Sequence, residues 1–146
     1  MRRYVALLTI LSVTISPALI AHAQAKFPCR AWLGLVPFQK VHLIDTFIGR
    51  KKKEKVILRL PAKYYIEELD TLIQVYVDTQ DEKALNAPMN VMIQTVAAME
   101  GDWGNGEDPL EHARKFMGKE QFDTFKKVHP EKYKRLVEKS HEKNRP

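Results

Sequence analysis

The sequence predicts an all-α fold, a compact bundle of about five to six short helices that follows an N-terminal signal peptide. Apolar residues recur at helical spacing in several segments, as they do on the buried face of a helix. Prolines and glycines separate these segments and mark their ends. Residues 56–60 are rich in β-branched side chains, but the chain offers no partner strand, so we expect an extended connector that buries Val56 and Leu58.

Residues 1–23 have the three parts of a secretory signal peptide. Two arginines come first, an apolar run over residues 5–15 follows, and Pro17 interrupts it. Small residues then lead to a cleavage site after Ala23, with Ala25 as the alternative. The run is shorter than the roughly 20 residues that span a membrane, which argues against an uncleaved anchor. We therefore expect a periplasmic or secreted protein whose mature chain has no transmembrane segment.

The mature chain, residues 24–146, has the length of a single domain, and we expect its polar end, residues 140–146, to fray. Cys29 is the only cysteine, so no disulfide can form within the chain. In an oxidising compartment such a thiol is buried, paired with another chain, or reactive. Its aromatic neighbours favour burial, and pairing would make Cys29 an intermolecular thiol.

The first predicted helix begins at Pro37 and ends at Gly49, with an apolar stripe that includes Ile44 and Phe47. A basic connector follows it. We regard this connector as a candidate surface for anionic partners, and a solvated linker is the plainer interpretation. The candidate basic surface consists of Arg50, Lys51, Lys52, Lys53 and Lys55.

The second predicted helix begins after Pro61 and is the most clearly amphipathic segment of the chain. A polar turn over residues 78–83 leads to a third helix, which we expect Asn86 to cap and Pro88 to open. Methionines line the apolar stripe of this third helix, which is more typical of an ordinary core than of a binding surface.

Asp108 is expected to cap a fourth helix, because Pro109 occupies the first helical position and Glu111 lies three residues after the cap. Gly118 should end that helix. A fifth helix follows, and Pro130 opens a sixth.

The loop over residues 100–108 is the most informative segment for function. It combines four acidic side chains, an asparagine, three glycines and one tryptophan. Oxygen ligands on a turning backbone suit calcium, but the spacing fails the helix-loop-helix calcium pattern, and a structured turn anchored by its tryptophan is the favoured interpretation. The candidate binding residues are Trp103, Glu100, Asp102, Asn105 and Glu107.

Net charge is unevenly distributed along the mature chain. Residues 26–63 hold ten basic and two acidic side chains. Residues 64–111 hold one basic and eleven acidic side chains, and residues 112–146 hold eleven basic and five acidic side chains. Such a layout serves either pairing between segments, which we favour, or separate faces for partners. Nucleic acid is a poor partner for an exported protein, so we expect an envelope protein or an anionic envelope component instead.

The sequence offers no catalytic or cofactor motif of adequate specificity. No two histidines of the mature chain are three or four residues apart, and one cysteine cannot build a thiolate zinc site, so we expect neither a metal nor a cofactor. No glycine pattern suited to phosphate follows a strand. A carboxylate of the 100–108 loop acting as a glycosidase acid stays a minor alternative.

A family resemblance rests on the order of features over residues 32–99. The features are Trp32, Lys40, residues 47–49, Tyr65, Leu69, Asp70, Tyr76 and Pro88. In this order they resemble the small secreted helical proteins of bacteria, among them the periplasmic immunity proteins that neutralise secreted cell-wall amidases. Those proteins usually carry paired cysteines, whereas this chain has only Cys29. The resemblance therefore transfers no functional residue.

Segregated charge without catalytic residues predicts a periplasmic interaction protein that has no enzymatic activity. Two alternatives remain open. One is a small cell-envelope hydrolase that uses carboxylates of the 100–108 loop, and the other is an envelope stress or chaperone-like module.

Overall fold

The computed structural model describes residues 27–145, which form seven helices and no named strand. The fold is all-α and compact, as predicted. The elements are a 3-10 helix Cys29–Gly34, α1 Pro37–Lys53, α2 Ala62–Asp78, α3 Glu82–Leu85, α4 Met89–Met99, α5 Pro109–Val128 and α6 Pro130–Lys143. The number of helices slightly exceeds the expected five to six, because the 3-10 helix and α3 are too short to show a periodic pattern. None of the described helices is long and apolar enough to cross a membrane.

Two buried clusters hold the bundle together, and α4 lies between them. The larger cluster packs the 3-10 helix, α1, α2 and the extended connector around Trp32, Tyr65 and Ile93. The smaller joins α5 to α6. Adjacent residues of α4 divide between the two, with Ala97 in the first cluster and Ala98 in the second. A helix that is apolar on several sides is suited to this central position.

The end of α1 differs from the prediction, because the helix passes through Gly49 and continues to Lys53. A glycine inside a helix costs about 1 kcal/mol, which the burial of Leu43, Ile44 and Phe47 on the inner face of α1 can offset. The chain leaves the helix at Lys55, whose φ is 63°. The Val56 N–H donates to the Lys51 carbonyl at 2.9 Å, and the Lys55 N–H donates to the Lys52 carbonyl at 3.1 Å. These bonds form a Schellman C-cap, so most of the predicted basic connector is the last turn of a helix.

The boundary before α4 also differs. Asp81 accepts a hydrogen bond from the Ala84 N–H at 3.0 Å and caps the short helix α3 within the predicted polar turn. Asn86 therefore lies at the C-terminal cap of α3, and Pro88 occupies the N-terminal cap of α4. The prediction that Asn86 caps the start of α4 is wrong. The N-terminal side-chain cap belongs to Asp81 at the start of α3, a short helix that the sequence pattern did not show.

Three other helix boundaries agree with the predictions made from the sequence. The Asp108 side chain accepts a hydrogen bond from the Glu111 N–H at 2.9 Å, and Pro109 occupies the first position of α5. Gly118 has φ 73° and ψ 168°, so helical geometry is broken there although helical turns continue on both sides. Pro130 opens α6. The connector also has the expected form, with Val56 and Leu58 both buried.

The C-terminal segment is more ordered than its polarity suggested. Helix α6 extends to Lys143, and Ser140 is buried. The Ser140 hydroxyl donates to Asp108 at 2.6 Å, and the Asn144 amide donates to the same carboxylate at 3.0 Å. Helical structure therefore continues beyond residue 140, where fraying was expected, and polar side chains there have specific partners across the fold.

Most ion pairs of the described residues join the acidic middle of the chain to one of its two basic flanks. Arg30 pairs with Glu82 and Lys40 with Asp70 on the N-terminal side, the latter at 2.6 Å. On the C-terminal side Lys132 pairs with both Glu68 and Glu100. The favoured interpretation of the charge layout, pairing between segments, therefore holds.

Candidate functional site

The 100–108 loop lies against the extended connector through a pair of backbone hydrogen bonds. The Ile57 N–H donates to the Gly104 carbonyl at 3.1 Å, and the Gly104 N–H donates to the Ile57 carbonyl at 3.0 Å. A Cβ atom at position 104 would lie 2.6 Å from the Ile57 carbonyl oxygen. Only glycine allows this approach, so the glycine content of the loop has a specific steric cause at this position.

Asp102 fastens the loop to two other elements. Its buried carboxylate accepts hydrogen bonds from the Arg59 and Leu60 N–H groups at 2.8 and 3.0 Å and from the Tyr65 hydroxyl at 2.6 Å. Burial and the neighbouring carboxylate raise the pKa of Tyr65, which therefore stays a donor. The structure thus gives Asp102, a predicted binding residue, three internal donors.

Glu100 is also buried and has cationic partners. Its carboxylate contacts the Lys132 ammonium at 2.7 Å and lies 3.9 Å from the Arg135 guanidinium. Burial is the main cause that raises the pKa of Tyr64, and a hydrogen bond with Glu100 is the second cause. The backbone carbonyl of Glu100 accepts a further hydrogen bond from Lys139 at 2.6 Å. Both carboxylates considered for acid catalysis therefore have internal partners.

Glu107 belongs to a partly exposed network at the far end of the loop. It contacts Lys115 at 2.7 Å and His112 Nδ1 at 3.2 Å. These two partners lower the pKa of Glu107 to about 2. The Asn105 side-chain oxygen accepts from the Glu107 N–H at 2.9 Å, so this pair also folds the loop on itself.

Trp103 anchors the loop on the larger core cluster, as predicted. Its ring stacks on His112 with centroids 5.0 Å apart, and the Lys51 ammonium lies 5.4 Å from the ring centroid. Lys51 thus joins the predicted basic surface to the predicted binding loop. Nothing in the sequence indicated that these two segments meet.

A cleft with a volume of about 690 Å³ opens where the loop, the connector and α6 converge. Three cationic residues line it: Arg59 from the connector, and Lys139 and Lys143 from α6. Among residues 27–145 none of the three forms an ion pair. Lys139 and Lys143 donate to backbone carbonyls of the loop, which leaves their positive charge uncompensated.

Three acidic side chains line the same cleft: Asp102, Glu107 and Glu142. Asp102 and Glu107 are engaged as described, and within residues 27–145 the Glu142 side chain has no hydrogen bond or ion pair. Asp102 accepts only from neutral donors, so its charge and that of Glu142 are uncompensated as well, and three unpaired cations outnumber two unpaired carboxylates. The cleft therefore presents a small net excess of positive charge. The sequence analysis missed Arg59, Lys139 and Lys143, although the spacing of the two lysines by four residues places them on one helix face.

None of the five residues of the predicted basic surface lines this cleft. Lys52, Lys53 and Lys55 are exposed and form no ion pair with any described residue. Arg50 lies over the Phe47 ring, 5.4 Å from its centroid. Lys51 differs from the other lysines of this surface, because its ammonium forms an ion pair with Glu54 at 2.6 Å.

Cys29 is fully buried in the larger core cluster. Burial raises the pKa of its thiol to about 11, which keeps the sulfur protonated and unreactive at neutral pH. The favoured alternative, burial, is confirmed, and a buried thiol argues against an intermolecular role for Cys29 in the folded protein. Residues 27–145 contain no group of three or more histidine, cysteine or acidic side chains arranged to hold a metal ion.

Comparison with protein-family models, with curated proteins and with solved structures found no match. The comparisons therefore support no family assignment, and the resemblance to secreted helical immunity proteins stays a prediction. The predicted signal peptide lies outside the residues that the structure describes.

Proposed function

We propose that this chain is an exported binding protein without catalytic activity, and that its cleft between the 100–108 loop, the connector and α6 holds an anionic group of an envelope partner. The observation that carries the proposal is the set of three cations in the cleft without an ion-pair partner: Arg59, Lys139 and Lys143. Cations that have no ion-pair partner and outnumber the unpaired carboxylates around them attract anionic ligands.

Arg59 is the central residue of this proposal. Its backbone N–H is fixed by Asp102, whereas its guanidinium has no partner among residues 27–145 and is available to a ligand. A guanidinium presents a planar set of donors that suits a carboxylate or a phosphate. The two lysines opposite it would add charge to the same ligand.

The contacts of the loop carboxylates favour binding over the alternative of hydrolysis. General acid catalysis needs a carboxyl group that can give its proton to a substrate. Asp102 accepts three hydrogen bonds within the fold, and Glu100 contacts Lys132, so neither points an unoccupied carboxyl group into the cleft. Export rests on the predicted signal peptide.

The test is quantitative capture from periplasmic extract with tagged mature protein that starts at Gln24. Replacement Arg59→Gln removes one charge and no internal side-chain contact, so we expect it to weaken capture of the specific partner by about tenfold. Arg114→Gln is the matched control, since Arg114 is exposed on α5 and forms no ion pair with a described residue. Capture that is absent, or that Arg59→Gln leaves unchanged, would contradict the proposal.

The competing hydrolase hypothesis is tested with the same preparations. Turnover of cell-wall fragments that Glu100→Gln abolishes, while the folded state is kept, would replace binding with catalysis as the function. Partner capture without such turnover supports the binding protein.

A further inference from the structure

The outer face of α1 is exposed from end to end and carries no part of the cleft. Phe38, His42, Asp45, Gly49 and Lys52 follow one another at helical spacing, and all five are exposed. The face opposite contributes Leu43, Ile44 and Phe47 to the core. The chain therefore presents a continuous helical surface to solvent.

The N-terminal end of this face is apolar. Phe38 is 72% exposed, and Leu33, Val36 and Val41 nearby are 52%, 46% and 41% exposed. Among the large apolar side chains that the structure describes as exposed, Phe38 is the one aromatic residue. Apolar residues concentrated within nine positions of the chain are typical of an interaction surface rather than of scattered exposure.

The C-terminal end of the same face is basic. Lys52 lies on this face, Lys53 is the last residue of α1, and Lys55 follows the end of the helix. All three are exposed and form no ion pair with any described residue, although most ion pairs elsewhere join the oppositely charged segments. Phe38 and Lys52 are fourteen positions apart, which corresponds to about 21 Å along the helix. Asp45 is the acidic residue between the two ends.

We propose that the outer face of α1 docks on an anionic lipid surface, with Phe38 and Val41 entering the interface and the lysines at the other end contacting lipid headgroups. A helix that lies in a membrane interface needs both an apolar contact and cations near the headgroups. An anionic cell-wall polymer would satisfy the lysines and leave Phe38 exposed. The lipid surface accounts for both ends of the face, and it requires nothing of the cleft.

The test measures partition of mature protein onto sedimentable vesicles made of equal parts of phosphatidylglycerol and phosphatidylcholine, compared with vesicles of phosphatidylcholine alone. We expect strong binding to the first, weak binding to the second, and loss of binding as salt concentration rises. Absence of binding to the anionic vesicles, or equal binding to both, overturns the proposal.

Two variants separate the apolar contribution from the basic one. Phe38→Ser should lower the partition coefficient about tenfold, since it removes most of the inserted apolar area. The combined change of Lys52, Lys53 and Lys55 to Gln should lower it about a hundredfold, because each lysine near an anionic surface contributes to binding. Circular dichroism and urea unfolding check that both variants stay folded.

Matched controls make the result specific to α1. Val128→Ser removes an apolar side chain that is 62% exposed near the end of α5. The change of Lys119, Lys127 and Lys134 to Gln removes the same charge from exposed positions of α5 and α6. Neither control should alter binding. If the control triple weakens binding as much as the α1 triple, or if Phe38→Ser has no effect, α1 is not the docking face.

Discussion

The 100–108 loop and the outer face of α1 both carry charged side chains, but these have internal partners in the loop and lack them on α1. In the loop, Glu100, Asp102 and Glu107 each have internal partners at hydrogen-bond distance. On α1, Lys52 and Lys53 have none among the described residues, and Phe38 is 72% exposed. A charged side chain with internal partners stabilises the fold, whereas one without them is available to a ligand or a surface. Composition alone therefore does not separate structural charge from binding charge.

The largest effect that this comparison predicts is loss of stability in Asp102→Ala. The substitution leaves the buried Tyr65 hydroxyl and two partly buried backbone N–H groups without their acceptor. We expect the free energy of unfolding to fall by about 4 kcal/mol, since each unsatisfied buried donor costs roughly 1–3 kcal/mol. Urea unfolding followed by circular dichroism measures the change. Asp45→Ala on the exposed face of α1 is the control, and it should alter stability by less than about 0.5 kcal/mol. Similar losses in both variants would contradict the assignment of Asp102 as a structural residue.

Glycine substitutions should have opposite signs in the two regions. Gly104→Ala would place a Cβ atom 2.6 Å from the Ile57 carbonyl oxygen, so we expect a loss of about 1–3 kcal/mol. Gly49 lies inside α1, and a Cβ atom added there would have no other atom within 4 Å. We therefore expect Gly49→Ala to raise the free energy of unfolding by up to about 1 kcal/mol. Thermal unfolding of the pair measures both. Equal shifts in the same direction would show that the loop and connector do not approach as closely as described.

The ion pairs of Glu107 predict a pH dependence of stability at the exposed end of the loop. Lys115 and His112 lower its pKa from 4.5 to about 2 in the folded state. A carboxylate with a depressed folded pKa stabilises the protein above its unfolded pKa, and this contribution disappears as pH falls through the folded value. The difference in melting temperature between the unmodified protein and Glu107→Gln should therefore shrink between about pH 4.5 and pH 2. Glu120→Gln, an exposed carboxylate without an ion pair to any described residue, serves as the reference. A constant difference across that range would show that the Glu107 pairs do not form in solution.

The smallest predicted effect is the reactivity of the Cys29 thiol in the native protein. Cys29 is fully buried, in contrast to the exposed outer face of α1. Its thiol should react with a disulfide reagent only on unfolding, because burial both shields the sulfur and raises its pKa to about 11. A non-reducing gel of oxidised native protein should show monomer. A dimer that dithiothreitol removes, or fast labelling of native protein, would mean that the N-terminal 3-10 helix opens readily. Cys29→Ser, run in parallel, identifies any labelling that does not arise from this thiol.

Much of the fold followed from local sequence. Helix starts at Pro37, Pro109 and Pro130 could be predicted because proline fixes the first turn without losing a bonded N–H. Gly49 and Asn86 were misplaced for the opposite reason: each has a local preference that a neighbouring cap or a packed helix overrode.

By itself the sequence determined the all-α class, the amphipathic faces, the Asp108 cap and the division of charge into three segments, because these depend on residue spacing and type along the chain. Only the tertiary structure decided which charges are paired. The contacts of Asp102 with the connector, of Lys132 with Glu100, and of Lys51 with Trp103 join residues more than 30 positions apart. No local pattern encodes such pairs, since they depend on how helices pack. Packing also left the Arg59 guanidinium and the Lys52 and Lys53 ammonium groups of α1 without internal partners.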